Sequence, residues 1–361
     1  MSSIKRRDSG KWRARYRDAD GKEHARHFER KVDAQRWLDE VTASILTGNY
    51  VDPKAGKITF EVFARQWQLA QVHRPNTAAA VDSALRVHAF PAFGGRQIAS
   101  IKPSDIQNFV HTLTQRLAPS TVRVTYQHVR AVFRAAEADR LIARSPCQRI
   151  SLPRVERRVL QPLPSEVVIA LEGAMPHRWA AMIPLMAGTG IRPGEAAGLS
   201  LDRVDFLRRT VRIDRQLLLT WPPTHGPPKT RSSIRTIPLP QVVVNALAAH
   251  VAQFPVGENE AIFTNTDGSL LKRDHVSAAF RRAVTASGAP AQTRLHDLRH
   301  YYASLLIRHG ESVKVVQSRL GHSSASETLD TYSHLWPDSE DMTRQAIDTV
   351  LGAQRAGTVA N

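Results

Sequence analysis

The sequence contains almost no cysteine and no long apolar run. Cys147 is the single cysteine among 361 residues, so neither an internal disulfide nor a cysteine-based zinc site can form. The apolar stretches are short and interrupted, and the charged segment MSSIKRRDSGK has no apolar segment behind it. The sequence therefore predicts neither a membrane span nor a signal peptide, and we expect a cytoplasmic protein that makes no membrane contact.

Acidic residues are scarce relative to basic ones. The chain has 33 acidic and 50 basic residues, a net charge of +17, and 40 of the basic residues are arginine. The excess is largest in residues 59–160, with 15 basic and 6 acidic side chains, compared with 14 and 9 in residues 1–58 and 21 and 18 in residues 161–361. Such a field attracts polyanions, and arginine suits phosphate. Nucleic acid is the predicted partner, and an ordinary solvated surface is the alternative.

The first 58 residues have the pattern of a separate module. In KWRARYR (11–17) apolar and basic residues alternate, which predicts a strand with one apolar face. After the turn DADG, residues 23–30 predict a returning strand, residues 32–46 a helix, and GNYVDPKAGK (48–57) a linker. The basic face either lies in a DNA groove, as in sheet readers, or faces solvent. Its four cations are Lys11, Arg13, Arg15 and Arg17.

Residues 59–144 have a helical pattern throughout. FPAFGG (90–95) predicts a turn between helices. The predicted helices span 59–71, 76–88, 103–117 and 120–139. The last helix combines an apolar stripe with a neighbouring row of Arg123, Arg130 and Arg134. The row favours DNA contact over plain solvent exposure because few acidic residues neutralise it. Residues 145–163 contain prolines and no periodicity, which is typical of an extended linker.

The remaining residues predict a mainly helical α+β domain at 164–337. A strand-rich centre at 209–238 is followed by helices rather than by repeated strand–helix–strand units. The helices are expected at 240–253, 273–286, 296–309, 311–319 and 326–335. Residues 338–361 are expected to form a C-terminal helix and tail. The apolar stripe within 338–352 packs either on its own domain or on a neighbouring protomer. The predicted fold class is multidomain: a small β-sheet-plus-helix module, an all-α domain, and this α+β domain.

Several cations and one phenol recur in order along the last domain. Breaking a phosphodiester without a metal requires fixed positive donors, a proton donor and a hydroxyl nucleophile. The set that supplies them is Arg192, Lys229, His296, Arg299, His322 and Tyr332. Exchange of one phosphate ester for another conserves bond energy, and the sequence has no Walker-type phosphate loop. We therefore expect no ATP, no metal and no other cofactor.

Taken singly, these residues have ordinary explanations. An arginine beside a glutamate, such as Arg192 near Glu195, is usually a surface ion pair. His296 and His300 lie four apart, a spacing that metal ligands also use on helices. Tyr332 is one of six tyrosines, so spacing alone does not select it.

The motifs that contain these residues resemble, in order, those of the tyrosine recombinase, or phage-type integrase, family. The matching segments are GTGIRPGEAAGL (188–199), PPKTRSSIRTIPLP (227–240), LHDLRHYYAS (295–304), LGHSS (320–324) and ETLDTYSHL (327–335). The resemblance covers residues 59–335, and the N-terminal module looks like an arm-type DNA-binding domain. It implies a catalytic domain of tyrosine recombinase type. It also implies double-stranded DNA attachment sites, a homo-tetramer on DNA, and accessory DNA-bending and directionality proteins as partners.

The resemblance further implies how the phosphate is held and attacked. Arg192 and Arg299 contact its non-bridging oxygens, and His322 adds a donor. Tyr332 attacks the phosphorus, which gives a 3′-phosphotyrosine and a free 5′ hydroxyl. A phenol has a pKa of about 10, so the surrounding cations are needed to favour the phenolate.

Three further residues have supporting roles in this resemblance. Lys229 protonates the leaving 5′ oxygen, His296 acts as a general base or holds the phosphate, and Glu195 orients Arg192. The predicted function is a site-specific recombinase that integrates or excises a mobile element. The alternatives are a type IB topoisomerase, against which the N-terminal module argues, and a non-catalytic DNA-binding regulator, against which the filled catalytic positions argue.

Overall fold

The computed structural model describes residues 2–18, 21–46, 55–156, 160–218 and 220–336, together with residues 344, 348 and 349. The chain divides into two units, Met1–Arg157 and Arg158–Asn361. The predicted C-terminal helix at 338–352 lies almost entirely outside the described residues. None of the helices described is long and apolar enough to cross a membrane.

The N-terminal module is a three-stranded antiparallel sheet covered by one helix. Its strands are β1 (Ser3–Arg6), β2 (Trp12–Arg17) and β3 (Glu23–Phe28), with β2 in the centre, and its helix is α1 (Lys31–Leu46). Ala14 and Tyr16 of β2 are buried against Ala34 and Leu38 of α1. The predicted strands and helix are confirmed. The edge strand β1 was not predicted, because four residues with two cations carry too little pattern to identify it.

The rest of the first unit is a helical bundle with one aromatic-rich core. Its helices are α2 (Phe60–Ala70), α3 (Pro75–Ala84), α4 (Pro103–Thr114) and α5 (Pro119–Ala138). Proline occupies the first position of three of them, where its missing N–H and fixed φ cost nothing. The side chain of Thr59 caps α2 by accepting a hydrogen bond from the backbone of Val62. The four predicted helices are confirmed.

The turn predicted at 90–95 begins later than expected, at Phe93, where the backbone leaves helical geometry with φ at −152°. The chain continues beyond α3 as a wider π-type helix over Leu85–Gly94, with Pro91 inside it. A π-type turn shifts the hydrogen-bonding partners, so it tolerates the missing proline N–H better than a regular helix does. Phe93 then packs edge-on against Phe60, with ring centroids 4.7 Å apart. Burial of this aromatic cluster outweighs the local preference of Pro91 for a turn, and the turn follows at Phe93–Arg96, where the N–H of Arg96 donates to the carbonyl of Phe93 at 3.1 Å.

The predicted linker at 145–163 has neither helix nor strand in its described part, residues 145–156 and 160–163. Its first residues nevertheless pack on the bundle rather than lying free. The hydroxyl of Tyr126 donates to the carbonyl of the buried Cys147 at 2.8 Å. The side-chain amide of Gln107 both donates to and accepts from the backbone of Ser151. These bonds fix the beginning of the extended segment on α4 and α5.

The described part of the second unit is mainly helical and contains two small sheets. Its helices are α6 (Ser165–Ala174), α7 (His177–Ala180), α8 (Met182–Thr189), α9 (Pro193–Ala197), α10 (Gln241–Gln253), α11 (Arg273–Ala286), α12 (Leu295–Arg308), α13 (Val313–Leu320) and α14 (Ala325–Tyr332). Its strands are β4 (Val204–Asp205), β5 (Thr210–Ile213), β6 (Gln216–Leu217), β7 (His225–Gly226) and β8 (Arg235–Pro238). The sheets are antiparallel, one in the order β4-β5-β8 and one a β6-β7 hairpin. The predicted multidomain fold class is confirmed.

The core of this unit surrounds α8, whose apolar residues are buried on all sides. A helix that is apolar all round belongs in the middle of a domain, and α8 packs against both α10 and α12. Gly190 ends α8 in the left-handed conformation, with φ at +66°. This turn places Gly190 against Tyr302 of α12 and leads into the site described next.

Candidate active site

Arg299 is fixed in the interior by the end of α8. It is 1% exposed, and its Nη1 donates to the carbonyl of Gly190 at 2.8 Å. A Cβ at position 190 would lie 2.3 Å from the ring of Tyr302, and the positive φ disfavours any L side chain there. Gly190 is therefore the residue type that lets α8 and α12 approach closely enough to hold this guanidinium.

Arg192 and Glu195 form the second part of the site at the start of α9. The carboxylate of Glu195 accepts from the backbone N–H of Arg192 and from its Nη1, both at 3.0 Å. Arg192 also donates to the hydroxyl of Ser233 and to the carbonyl of Gly321. The Glu195 side chain is 1% exposed. The predicted neighbours thus form an ion pair in which a buried carboxylate orients a partly exposed guanidinium.

Glu195 has a second arginine partner, Arg235, which was not predicted from the sequence as a site residue. Its Nη2 donates to Glu195 at 2.9 Å, and its Nε donates to the carbonyl of Arg319 at 2.7 Å. Burial alone would raise the pKa of Glu195, but the charge and hydrogen bond of Arg235, with those of Arg192, lower it overall. The ionised carboxylate of Glu195 therefore joins α9 to β8, and Arg235 joins β8 to α13.

Tyr332 is the last residue of α14 and is 1% exposed. Burial raises the pKa of its phenol to about 12, against the opposite effect of the guanidiniums of Arg299 and Arg192. The ring of His322 lies nearly parallel to that of Tyr332, with centroids 6.4 Å apart. His322 follows Gly321, which ends α13 at φ +66°. The phenol is thus protonated at neutral pH and surrounded by cationic or donor groups.

His322 is held by α14 as well. Its Nδ1 is 2.8 Å from the hydroxyl of Thr328, and its Nε2 is 3.9 Å from the carboxylate of Glu327. Burial, followed by the charge of Arg299, lowers the pKa of His322. A neutral ring can donate a hydrogen bond from one nitrogen while it accepts at the other, as the predicted phosphate contact requires.

His300 is a second histidine beside Tyr332, although its spacing from His296 in the sequence is typical only of a metal ligand. Its Nδ1 is 2.8 Å from the phenol oxygen, and its ring meets that of His296 at right angles with centroids 4.9 Å apart. Burial lowers the pKa of His300 to about 4, and the charge of Arg299 adds to this effect. The pKa of His296 is also lowered to about 4, by loss of surrounding water and then by His300 and Arg299.

The structure brings together five of the six predicted catalytic side chains. These are Arg192, His296, Arg299, His322 and Tyr332. Lys229 lies in an exposed bend after β7, four residues before Ser233, which contacts Arg192. The loop therefore reaches the site, and the contact of Lys229 with a leaving oxygen stays a prediction.

The cationic face of β2 carries its own counter-charges. Glu23 of β3 lies within 3.5 to 4.0 Å of Arg13, Arg15 and Arg17, and Lys11 pairs with Glu29 at 2.8 Å. Ala14 and Tyr16, between these cations, are buried on the opposite face. The alternation predicted from the sequence is confirmed, and DNA contact by this face stays a prediction.

The basic row of α5 lies on the surface of the bundle. Arg123, Arg130 and Arg134 are all exposed, and Arg123 donates to the carbonyl of Pro153 at 3.2 Å. The intervening residues Val129 and Phe133 are fully buried. The helix is therefore amphipathic as predicted, and its contact with DNA also stays a prediction.

Three segments of the chain match models of known protein families. The sequence model of the Phage integrase family matches residues 165–338. Models of the phage integrase N-terminal domain and the phage integrase central domain match residues 2–47 and 60–152. A putative prophage phiRv2 integrase of Mycobacterium tuberculosis is 27% identical over 344 residues, which cover 92% of this chain and 90% of that protein.

Two solved structures have a similar fold. The integrase of transposon Tn1549, in complex with transposon right end DNA, superposes with a TM-score of 0.68 at 21% identity, over 81% of this chain and all of that one. A lambda integrase tetramer bound to a Holliday junction superposes with a TM-score of 0.59 at 18% identity, over 90% of this chain and 96% of that one.

Proposed function

Because the chain belongs to the phage integrase family, we propose that it cleaves and rejoins DNA through a covalent 3′-phosphotyrosine at Tyr332. It is a tyrosine-type site-specific recombinase. The observation that supports Tyr332 as the nucleophile is the convergence of Arg192, Arg299 and His322 on one buried phenol. Neither a type IB topoisomerase nor a non-catalytic regulator is favoured by the family match.

The proposed reaction is an in-line exchange of phosphate esters. Arg192 and Arg299 hold the non-bridging oxygens, where paired guanidinium donors suit phosphate geometry. The Tyr332 oxygen forms a bond to phosphorus as the bond to the 5′ oxygen breaks, and Lys229 supplies the proton to that oxygen. Attack by the 5′ hydroxyl of another strand reverses these steps. The cations also stabilise the added negative charge of five-coordinate phosphorus.

The proposed substrates are double-stranded attachment sites, so we place the protein at the DNA of a bacterial host, in the cytoplasm. We propose a homo-tetramer on DNA, with accessory DNA-bending and directionality proteins. The lambda integrase tetramer, similar in fold, supports this assembly. The proposed division is an arm-binding module and linker at 1–58, a core-binding domain at 59–144, a linker at 145–163, a catalytic domain at 164–337 and a C-terminal segment at 338–361.

A suicide DNA substrate, nicked so that the 5′ hydroxyl diffuses away, tests this function in the presence of EDTA. The expected product is an adduct that resists SDS, and peptide mapping should place the DNA on the fragment containing Tyr332. Relaxation of plasmids without an attachment site at the same rate would indicate a topoisomerase instead. Binding without any adduct, on a cognate site, would contradict the enzyme.

The cationic face of β2 gives a prediction for the N-terminal module. Replacing Arg13, Arg15 and Arg17 together by glutamine in the full chain should weaken binding to arm-type DNA. The slope of log affinity against log salt should become shallower by about 2 to 3, since each lost phosphate contact contributes about 0.9. Cleavage of a core-site suicide substrate should not change. Filter binding from 50 to 200 mM salt measures the slope.

The matched control for that triple variant is Arg36→Gln, an exposed arginine on α1. This helix covers the opposite face of the sheet, so the control should bind arm-type DNA as the wild type does. An unchanged salt slope in the triple variant would mean that the β2 face is only solvated.

A further inference from the structure

The hydroxyl of Tyr332 has one hydrogen-bond partner among the described residues, and that partner is His300. The separation from Nδ1 is 2.8 Å, and the two rings meet at 63° with centroids 5.6 Å apart. His300 is half-buried and sits one helical turn from His296 on α12. A nucleophile that is hydrogen-bonded to an imidazole, which is itself oriented by another group, has the arrangement of an activated nucleophile.

We propose that His300 is the general base that accepts the proton of Tyr332 during DNA cleavage. This inference rests on the proposed recombinase function. As the phenol O–H bond breaks, its proton moves to Nδ1 of His300 and the oxygen forms the bond to phosphorus. The 5′ oxygen leaves with the electron pair of its broken bond and receives the proton of Lys229. In the return step the imidazolium of His300 gives its proton back to the departing phenolate.

The charges around His300 favour the required starting state. The ring of His300 contacts His296 on its own helix and Tyr332 on α14, and it is also affected by the charge of Arg299. Burial and the Arg299 guanidinium keep the ring neutral at pH 7, so Nδ1 can accept the phenol hydrogen when the proton is on Nε2. Arrival of a scissile phosphate places negative charge beside Arg299. That charge offsets the guanidinium and raises the basicity of His300 when the proton must move.

His296 has a different place in this arrangement. Its ring contacts the ring of His300 at right angles. We assign it to holding the phosphate and orienting His300, so it is a positioning residue with respect to Tyr332. The proton acceptor is therefore the histidine that directly follows Arg299, rather than the one three residues before it.

The test is His300→Asn, assayed for the rate of covalent adduct formation on the suicide substrate. Asparagine presents an amide oxygen that can accept the phenol hydrogen bond but cannot take the proton, so a purely structural role would survive. We expect the rate to fall by roughly 10²–10⁴, the usual contribution of general-base catalysis. DNA affinity should stay within threefold of the wild type. The matched control is His309→Asn, an exposed histidine at the end of α12.

A substrate with sulfur in place of the 5′ bridging oxygen distinguishes the loss of the general base, His300, from the loss of the general acid, Lys229. Sulfur leaves without protonation, so this substrate should rescue Lys229→Ala and should not rescue His300→Asn. Above pH 6 the rate of His300→Asn should rise tenfold per pH unit, because hydroxide must replace the base. The wild-type rate should level off. Rescue of His300→Asn by sulfur, or cleavage within threefold of the wild type, would overturn the proposal.

The outcomes distinguish this inference from the proposed function. If the wild type and His309→Asn form the Tyr332 adduct while His300→Asn does so equally fast, only the role of His300 is wrong. If the wild type forms no adduct with either substrate, the recombinase function itself fails. Should His300→Asn not fold, nitrogen NMR of the wild type still decides. An Nδ1 that is protonated, or one whose shift is unchanged in Tyr332→Phe, would overturn the proposal.

Discussion

Tyr332→Phe should form no covalent adduct with DNA, a loss of 10⁴-fold or more by comparison with removal of other enzymatic nucleophiles. The phenol oxygen is the protein atom that bonds to phosphorus in the proposed reaction. A water molecule that attacked in its place would not leave the protein covalently linked to the DNA. DNA binding should persist, since Arg192 and Arg299 remain in place. The measurements are adduct yield after SDS treatment and affinity for an uncleaved core site.

The stability of this variant should hardly change. The ring stays in the small hydrophobic core that also contains Ala303 and Leu320, and the lost hydrogen bond to His300 costs about 0.5–1.5 kcal/mol. Tyr301→Phe is the matched control, because it removes a hydroxyl from α12 that pairs with Ser165 at 2.9 Å. Adduct formation by Tyr332→Phe, or its loss in Tyr301→Phe, would place the nucleophile elsewhere.

The second large effect is expected from Glu195→Gln, which keeps the shape of the side chain and removes its charge. Two guanidiniums, of Arg192 and Arg235, then lose their shared carboxylate in a site where Arg235 is 6% exposed. Breaking a buried ion pair by removing one partner costs about 3–5 kcal/mol. The melting temperature of the second unit should fall by roughly 6–20 °C. Calorimetry at pH 7 measures the shift.

The pH dependence of that loss has a definite sign. The folded protein lowers the pKa of Glu195 below its unfolded value, so the stabilisation is fully present above the unfolded pKa of about 4.3. It disappears as the pH falls through the lower folded pKa. The difference between wild type and Glu195→Gln should therefore shrink on acidification. Glu311→Gln, at an exposed position after α12, should melt as the wild type does. If Glu195→Gln and Glu311→Gln had the same melting temperature, the charge of Glu195 would not contribute to the stability of the fold.

Local pattern predicted most of the helices because their apolar faces repeat at helical spacing over ten or more residues. Alternation did the same for β2, where Ala14 and Tyr16 point into the module. The sequence misled at Pro91, where local turn chemistry competes with the packing of Phe93 on Phe60, a contact more than thirty residues apart in the chain. Such a contact cannot be seen in a short window of sequence.

The active site was also predicted only in part from the sequence. Resemblance selected Arg299 and Tyr332, yet neither Arg235 nor His300 was assigned a role, although both lie inside the matching motifs. In the sequence Arg235 is one more cation on a short strand, and only the structure shows its guanidinium on the carboxylate of Glu195. His300 shares the i, i+4 spacing of metal ligands with His296, and only the end of α14 reveals the phenol as its partner. Chemistry that depends on side chains converging from separate elements needs the tertiary fold.

The interior position of Arg299 has an energetic consequence. Burial, followed by the charges of Arg192 and Arg235, lowers its pKa to about 9. Three positive guanidiniums therefore lie close together, and the carboxylate of Glu195 compensates for only part of their charge. Without an anion the folded chain therefore carries unfavourable repulsion in a region that water reaches poorly. A phosphodiester relieves that repulsion when it enters, and binding and folding become thermodynamically linked. Part of the attraction for the reactive phosphate is thus established as the polypeptide folds, before any duplex arrives.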